Sequence, residues 1–281
     1  MTRTARVRLD ELLLARGLVP SRSAARGLIM AGQVLVEEEV SDKAGAQVLR
    51  DADVRLRSRP RFVSRGGDKL AHALDTFGLE VTGACALDVG ASTGGFVDCL
   101  LQSGAVRVIA LDVGRGQLHN RLTNDPRVHP LDRTNARYLT PDRLPYVPDV
   151  LTMDVSFISV TKVLPAVVSC VAPVFTGLVL IKPQFEAGPD LVGSGGIVRD
   201  HAVHRGVLLE TARFVVSELD AQLLGICRSA LLGADGNAEF FLHLGRGGER
   251  GAGLDTLERL VDGLLAEEGI DEVMDTVEAD T

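Results

Sequence analysis

"ALDVGASTGGF" (86–96) is an apolar run that ends on an acid and turns into glycines. An apolar strand, a glycine-rich turn and a following helix are how a doubly wound α/β sheet opens its ligand site. Working outward, "ACALDVG" (84–90) is the first of five segments built alike. The others are "RVIALDV" (107–113), "RVHPLDR" (127–133), "DVLTMDV" (149–155) and "GLVLIKP" (177–183). All but the third are strongly apolar, as parallel strands buried on both faces should be. Each ends in a charge: Asp88, Asp112, Asp132, Asp154 and Lys182. One "LD" carries little weight, because a strand-end acid often caps the next helix. Five from five segments mark the carboxyl ends of parallel strands, where such sheets hold ligands. The fold class expected is therefore α/β, with a doubly wound parallel sheet.

The turn itself narrows the ligand. "GASTGG" (90–95) has neither the GxGxxG order of a dinucleotide fingerprint nor the GK[ST] ending of a P-loop. A pyrophosphate needs close backbone approach and a helix N-terminus aimed at it. S-adenosylmethionine carries no phosphate and needs room for an amino acid and a sulfonium. The D-x-G-x-x-x-G-G turn, with Asp112 ending the second strand for ribose hydroxyls, favours it over a nicotinamide dinucleotide, which stays the alternative.

The lysines sharpen this reading. The chain has four (Lys43, Lys69, Lys162, Lys182) against 26 arginines. In so Arg-biased a sequence, a retained Lys suits a task that Arg cannot do, and releasing a proton is one. Lys182, at the end of an apolar strand beside Asp154, needs a partner or a role.

The formal charge of −8 hides an asymmetry. Residues 1–69 hold 14 basic and 9 acidic residues, a net +5, whereas residues 254–281 hold 10 acids and one Arg, a net −9. A basic head on an acidic chain is a local footprint for nucleic acid. Residues 1–61 contain no Phe, Tyr or Trp, so this head would grip backbone and shape rather than stack bases. "RLDELLLARGL" (8–18) and "SRSAARGLIMAG" (21–32) have helical spacing, the second with Ser21 as N-cap. "QVLVEEEV" (33–40) and "QVLRDADVRLR" (47–57) read as strands. An Arg-, Pro- and Gly-rich connector follows.

The domain limits expected are 1–58, a linker at 59–64, a catalytic domain at 65–250 and an acidic helix and tail at 251–281. The cysteines (Cys85, Cys99, Cys170, Cys227) show no CxxC spacing, which fits reduced core thiols in a cytoplasmic protein. The uncharged stretch 163–181 is nearly long enough to span a membrane. Its Pro165, Pro173 and Gly177 instead suggest a buried helix, a turn and a buried strand. His201 and His204 lie three residues apart with no third metal ligand evident, so no metal is expected and a solvated helix face is the reading. "VGSGGIVRD" (192–200) reads as a glycine-rich lid.

The "RLD…GL…SR…A…LI..G.V.V" frame of the head resembles an S4 RNA-binding domain, with "EEE" (Glu37–Glu39) where that module usually has an Asn-Gly type of turn. "VSRGGDKL", "LDVGASTGGF", "DVGRGQL", "DRTNAR", "DVSFIS", "IKPQFE", "GSGGIVRD" and "GNAEFF", in that order, resemble the FtsJ/RrmJ-type ribose 2′-O-methyltransferases. Head and body together resemble the TlyA family of ribosomal RNA methyltransferases, whose members are often labelled hemolysins.

The resemblance implies a Rossmann-like methyltransferase sheet that binds S-adenosylmethionine and methylates cytidines in 16S and/or 23S rRNA. It implies a K-D-K-E tetrad at Lys69, Asp154, Lys182 and Glu239, with Lys182 as general base. Cofactor contacts are implied at Asp88, Gly90, Ala91, Ser92, Thr93, Gly94, Gly95, Phe96, Asp112, Val113, Asp132 and Arg133. Among these, Gly90, Ser92, Thr93 and Gly94 would hold the methionine end, Asp112 the ribose and Asp132 the adenine. RNA contacts are implied at Arg3, Arg6, Arg8, Arg22, Arg26 and Arg65. The partner would be a ribosomal subunit, met by a monomer with no membrane association. Rival readings are a non-catalytic ribosome-assembly factor and a pore-forming cytotoxin.

Overall fold

The computed structural model describes residues 6–30, 32–56, 60–233, 236–248, 251 and 256–266. The chain divides into two units, Met1–Arg61 and Phe62–Thr281.

The first unit runs β1 (Arg6–Arg8), α1 (Leu9–Ala15), α2 (Arg22–Met30), β2 (Val34–Val36), β3 (Glu39–Val40), β4 (Gln47–Leu49) and β5 (Val54–Leu56). β1 pairs antiparallel with β4, and β2 stands between β3 and β5. Leu9, Leu12, Leu13, Ala25, Ile29, Val34 and Val54 form its core. The elements are shorter than the sequence pattern suggests. The 33–40 segment folds into a hairpin whose turn residues, Glu37 (φ 50°) and Glu38 (φ 66°), both take the left-handed conformation that Asn-Gly usually supplies. The 47–57 segment is likewise broken by a turn. Strands of two or three residues are too short for alternation to reveal their ends.

The second unit begins with α3 (Gly66–Phe77), β6 (Cys85–Val89), α4 (Gly95–Gln102), β7 (Arg107–Leu111), α5 (Asn120–Thr123) and β8 (Val128–Leu131). It continues with β9 (Val150–Met153), α6 (Leu164–Val168), β10 (Phe175–Ile181), α7 (Pro183–Glu186), α8 (His201–Glu218), β11 (Gln222–Arg228) and β12 (Phe240–Arg246). The strands form one sheet in the order β11-β12-β10-β9-β6-β7-β8, in which β12 runs opposite to the other six.

β6, β7, β9 and β10 are the apolar runs read from sequence. β8 is less apolar because it is an edge strand, which also tolerates Pro130. The 163–181 stretch is divided into α6, a turn and β10, and among the described residues no helix is long and apolar enough to cross a membrane. The sheet carries packed apolar layers on both faces, one centred on Leu87, Leu151, Val179 and Leu208, the other on Leu70, Leu100, Val108 and Phe241. Helical residues 256–266 join the first layer through Leu257, Val261 and Leu265. Most of the acidic tail, 267–281, lies outside the described residues.

Candidate active site

In this strand order the crossovers diverge at β6, so β6 and β9 border the point where a doubly wound sheet opens a crevice at its carboxyl edge. The turn after β6 is sewn down on both sides. Gly90 and Ala91 donate backbone hydrogen bonds to Leu111 O at 2.9 and 3.0 Å, and Asp154 N donates to Val89 O at 2.9 Å. Gly90 is at φ 85°, and a Cβ there would stand 2.2 Å from the Asp154 carbonyl oxygen. Only glycine admits that approach.

The strand-end charges converge as the sequence pattern requires. Lys182 Nζ is 2.6 Å from Asp154 Oδ1 and donates to Ser156 Oγ at 2.9 Å. Lys69 Nζ, from α3, donates to Glu239 Oε2 at 2.5 Å. The four residues therefore form two ion pairs, which wall a single cavity of about 360 Å³ together with Asp88, Ser92, Thr93, Gly95, Phe96 and Arg65. Lys43 and Lys162 are exposed, so the two lysines not explained as surface residues are the two in this cavity. Glu239 does not face water: it is buried at 3 % exposure just ahead of β12.

Asp98 of α4 supports this arrangement. Buried itself, it accepts Val63 N at 2.9 Å, Gln102 Nε2 at 3.0 Å and Arg121 Nη2 at 2.5 Å. It thereby holds the chain leading into α3, with Ser64 and Arg65 at the cavity wall.

A second cavity of about 510 Å³ lies alongside, lined by Gly90, Ser92, Asp112, Val113, Asp154 and Ser156, with Ala136, Ile158 and Val163 as apolar wall. No Lys or Arg is among its lining residues. A pyrophosphate would meet two carboxylates and no cation there, a poor setting for so anionic a group. Asp112 is held rigidly, accepting Ser92 N at 2.8 Å and Gly114 N at 2.7 Å.

Asp88 is the unusual group. It is 1 % exposed, its Oδ1 accepts Thr152 Oγ1 at 2.7 Å, and its Oδ2 has no partner among the described residues. Burial pushes its carboxyl up to about 7; the Thr152 hydrogen bond opposes this, and the charges of Asp154 and Asp112 add to it.

Three implied cofactor residues stand apart. Gly94, Asp132 and Arg133 line neither cavity. Gly94 instead approaches Leu118 and Leu122, while Asp132 accepts Gly116 N at 2.8 Å. For Asp132 and Arg133 the reason is positional: β8 is the outermost strand on its side, so its end lies farther from the switch point than those of β7 and β9.

In the first unit, Arg8, Arg22 and Arg26 converge on the fully buried Asp10, at 2.9, 3.4 and 3.2 Å. The Arg8 guanidinium holds the Asp10 carboxyl well below the usual carboxylate range, against its burial, with Arg26 and Arg22 assisting. Each arginine keeps an exposed portion. Arg6 donates to Gln47 O. Arg3 lies outside the described residues. His204 is buried and bonds Val198 O through Nε2 at 3.0 Å, so it is a core residue rather than part of a solvated face. Among the described residues no group of side chains could hold a metal.

One feature was not legible in the sequence. Phe157, inside "DVSFIS", is 90 % exposed at φ 64°, with its ring 5.0 Å from that of Phe185, and it lines the larger of these two cavities. In sequence it looks like one apolar residue among others.

Residues 62–246 match the FtsJ-like methyltransferase family and residues 7–54 match the S4 domain. The chain is 42 % identical over 270 residues to the 16S/23S rRNA (cytidine-2′-O)-methyltransferase TlyA of Mycobacterium tuberculosis (strain ATCC 25618 / H37Rv), covering 93 % of this chain and 98 % of that one. It is 45 % identical over 244 residues, 86 % of each chain, to YqxC of Bacillus subtilis (strain 168), which carries an rRNA-methyltransferase label. A solved structure from Streptococcus thermophilus with a hemolysin label superposes with a TM-score of 0.72 at 35 % identity, covering 96 % of this chain and 99 % of that one. The chain belongs to the FtsJ-like methyltransferases, within the TlyA family, with an S4 domain ahead of the methyltransferase domain.

Proposed function

We propose that the protein methylates the ribose 2′-hydroxyl of a cytidine in ribosomal RNA, 16S, 23S or both, using S-adenosylmethionine. The observation that carries this reading is the pair of lysine–carboxylate contacts walling one cavity beside the glycine turn. Bound there, S-adenosylmethionine would supply an activated methyl group, leaving the protein to align the acceptor and remove one proton.

The larger cavity suits this cofactor. It has apolar walls for an adenine and a fixed carboxylate, Asp112, for ribose hydroxyls. The unpartnered Asp88 Oδ2, at the wall of the adjoining cavity, offers an acceptor for an ammonium. Gly90 and Ser92 bound both cavities and would hold the methionine end between them.

In this reading Lys182 accepts the 2′-hydroxyl proton at Nζ, a role worth about 10²–10⁴ in rate for a positioned general base. Asp154 and Ser156 fix where Nζ stands; Lys69 and Glu239 line the same cavity. Placement of the acceptor supplies the rest. The first unit would contribute register through phosphate contacts from Arg6 and from Arg8, Arg22 and Arg26, the last three oriented by Asp10.

Phe157 would receive the base. An exposed aromatic beside a site that must admit one ribose is suited to stacking a nucleotide drawn from its helix. Phe157→Ala should cost about 1–3 kcal/mol of stacking, seen as a roughly tenfold rise in KM for RNA with cofactor affinity unchanged. An unchanged KM would remove the ring from RNA recognition.

The deciding experiment incubates the full chain with methyl-labelled S-adenosylmethionine and separated 30S and 50S subunits from an unmodified strain, with Lys182→Ala alongside. Label in subunit RNA from wild type alone is expected, and its distribution identifies one target or two. No label in either, with cofactor still bound, would favour the assembly-factor reading.

A further inference from the structure

The loop after β9 and the turn after β10 are fastened together at three levels. Lys182 reaches Asp154 and Ser156, the Phe185 ring lies against Phe157, and Glu186 Oε1 accepts the Val160 N–H at 2.9 Å. The first contact belongs to the site already described. The third has no assigned purpose.

Val160 opens the short helical turn Val160–Lys162, capped by Ser159, whose Oγ accepts Thr161 N. The segment between Asp154 and Val160 is thus held at both ends: at its start by Asp154 N on Val89 O, at its finish by Glu186. Between those clamps lie Ser156, which bonds Lys182, and Phe157 in the left-handed region. A non-glycine residue persists there only when its surroundings over-determine it.

We propose that Glu186 is a positioning residue, whose carboxylate clamps Val160 and so holds Ser156 and Phe157 in place beside Lys182. The carboxylate is half-buried, and burial raises its carboxyl above the usual range while Ser159 and the Val160 N–H oppose the rise. Glu210 and Lys162 are the charged groups that face it, with opposite effects. Partial burial of a carboxylate is costly unless hydrogen bonds such as that from Val160 N–H offset it.

The inference that Glu186 bears on catalysis rests on the methyl-transfer reading; its structural part does not, and the test separates the two. The chain contains no tryptophan, so Phe157→Trp introduces a single emitter at the clamped position. In full-length protein without RNA, adding Glu186→Ala should give that indole a fast-decaying anisotropy component absent from the parent. Glu186→Gln should not, because its amide carbonyl still accepts from Val160. Glu186→Asp, which keeps the charge but shortens the reach, should resemble Glu186→Ala and serves if the alanine variant does not fold.

On the native Phe157 background, Glu186→Ala should raise KM for subunit RNA about tenfold, with little further loss from Phe157→Ala. Identical anisotropy in all variants, or Glu186→Gln as mobile as Glu186→Ala, would overturn the clamp. Altered anisotropy with unaltered KM would limit it to structure. Absence of methyl transfer by wild type would instead strike the reading on which the catalytic part rests.

Discussion

Lys182→Arg should lower kcat for RNA methylation by at least about 10³-fold while leaving cofactor affinity within about twofold. The substitution keeps the positive charge beside Asp154 and can still donate to Ser156, so a purely electrostatic or structural role would survive it. A guanidinium does not give up its proton in a protein, so a general-base role would not survive. The expected loss falls within the range for a missing general base, with an added share for the bulkier head group. Near-normal turnover by Lys182→Arg would return the proton to solvent and leave Lys182 as a positioning charge.

How much of this site was legible in the sequence depends on what each residue's neighbours reveal. β6, β7, β9 and β10 stood out because a strand buried on both faces is apolar at every position, and the charge that ends it is then conspicuous. That logic located Asp88, Asp112, Asp154 and Lys182 at one edge, and the scarcity of lysine pointed to two of the four ion-pair partners. The same logic also marked Asp132, which lines neither cavity, because it records that a strand ends but not how far along the sheet that strand lies. Phe157 and Glu186 lie inside the family stretches "DVSFIS" and "IKPQFE", but nothing in their spacing gave either a role. One is an apolar residue whose exposure and left-handed backbone its neighbours in sequence do not announce. The other bonds a backbone N–H 26 residues away, a pairing that no local pattern encodes. In the first unit, the family frame around "RLDE" was visible, but the gathering of three arginines on Asp10 depends on how α1 meets α2 and has no linear signature.

Asp88→Asn should make the free protein more stable at pH 8 and poorer at binding its cofactor. The asparagine can still accept from Thr152 Oγ1, so the hydrogen bond across β6 and β9 is kept and the change falls on the charge. In the fold this carboxyl is raised to about 7, chiefly by burial; in the unfolded chain it would titrate near 3.9. A group whose folded pKa is raised binds its proton more tightly in the native state. Its ionisation is therefore a cost that is absent below about pH 4, grows between about pH 4 and 7, and is constant above. Wild type should lose a few kcal/mol of stability across that window, and Asp88→Asn should lack that part of the slope. Denaturant titrations at pH 5 and pH 8 measure it; a difference between the two proteins that does not change with pH would refute the assignment. A carboxylate that weakens the fold at neutral pH is explicable if its unpartnered Oδ2 is needed by a cation. Cofactor binding should then draw the group into its ionised form and release a proton, so affinity should tighten from pH 6 to 7.5, below the range in which an α-amino group itself titrates. In Asp88→Asn, calorimetry should show affinity weakened by about 10²-fold, the cost of losing a hydrogen bond to a charged group at the upper end of its range, with no linked proton. Unimpaired binding by this variant would mean that Asp88 acts only through Thr152 and the strand beside it.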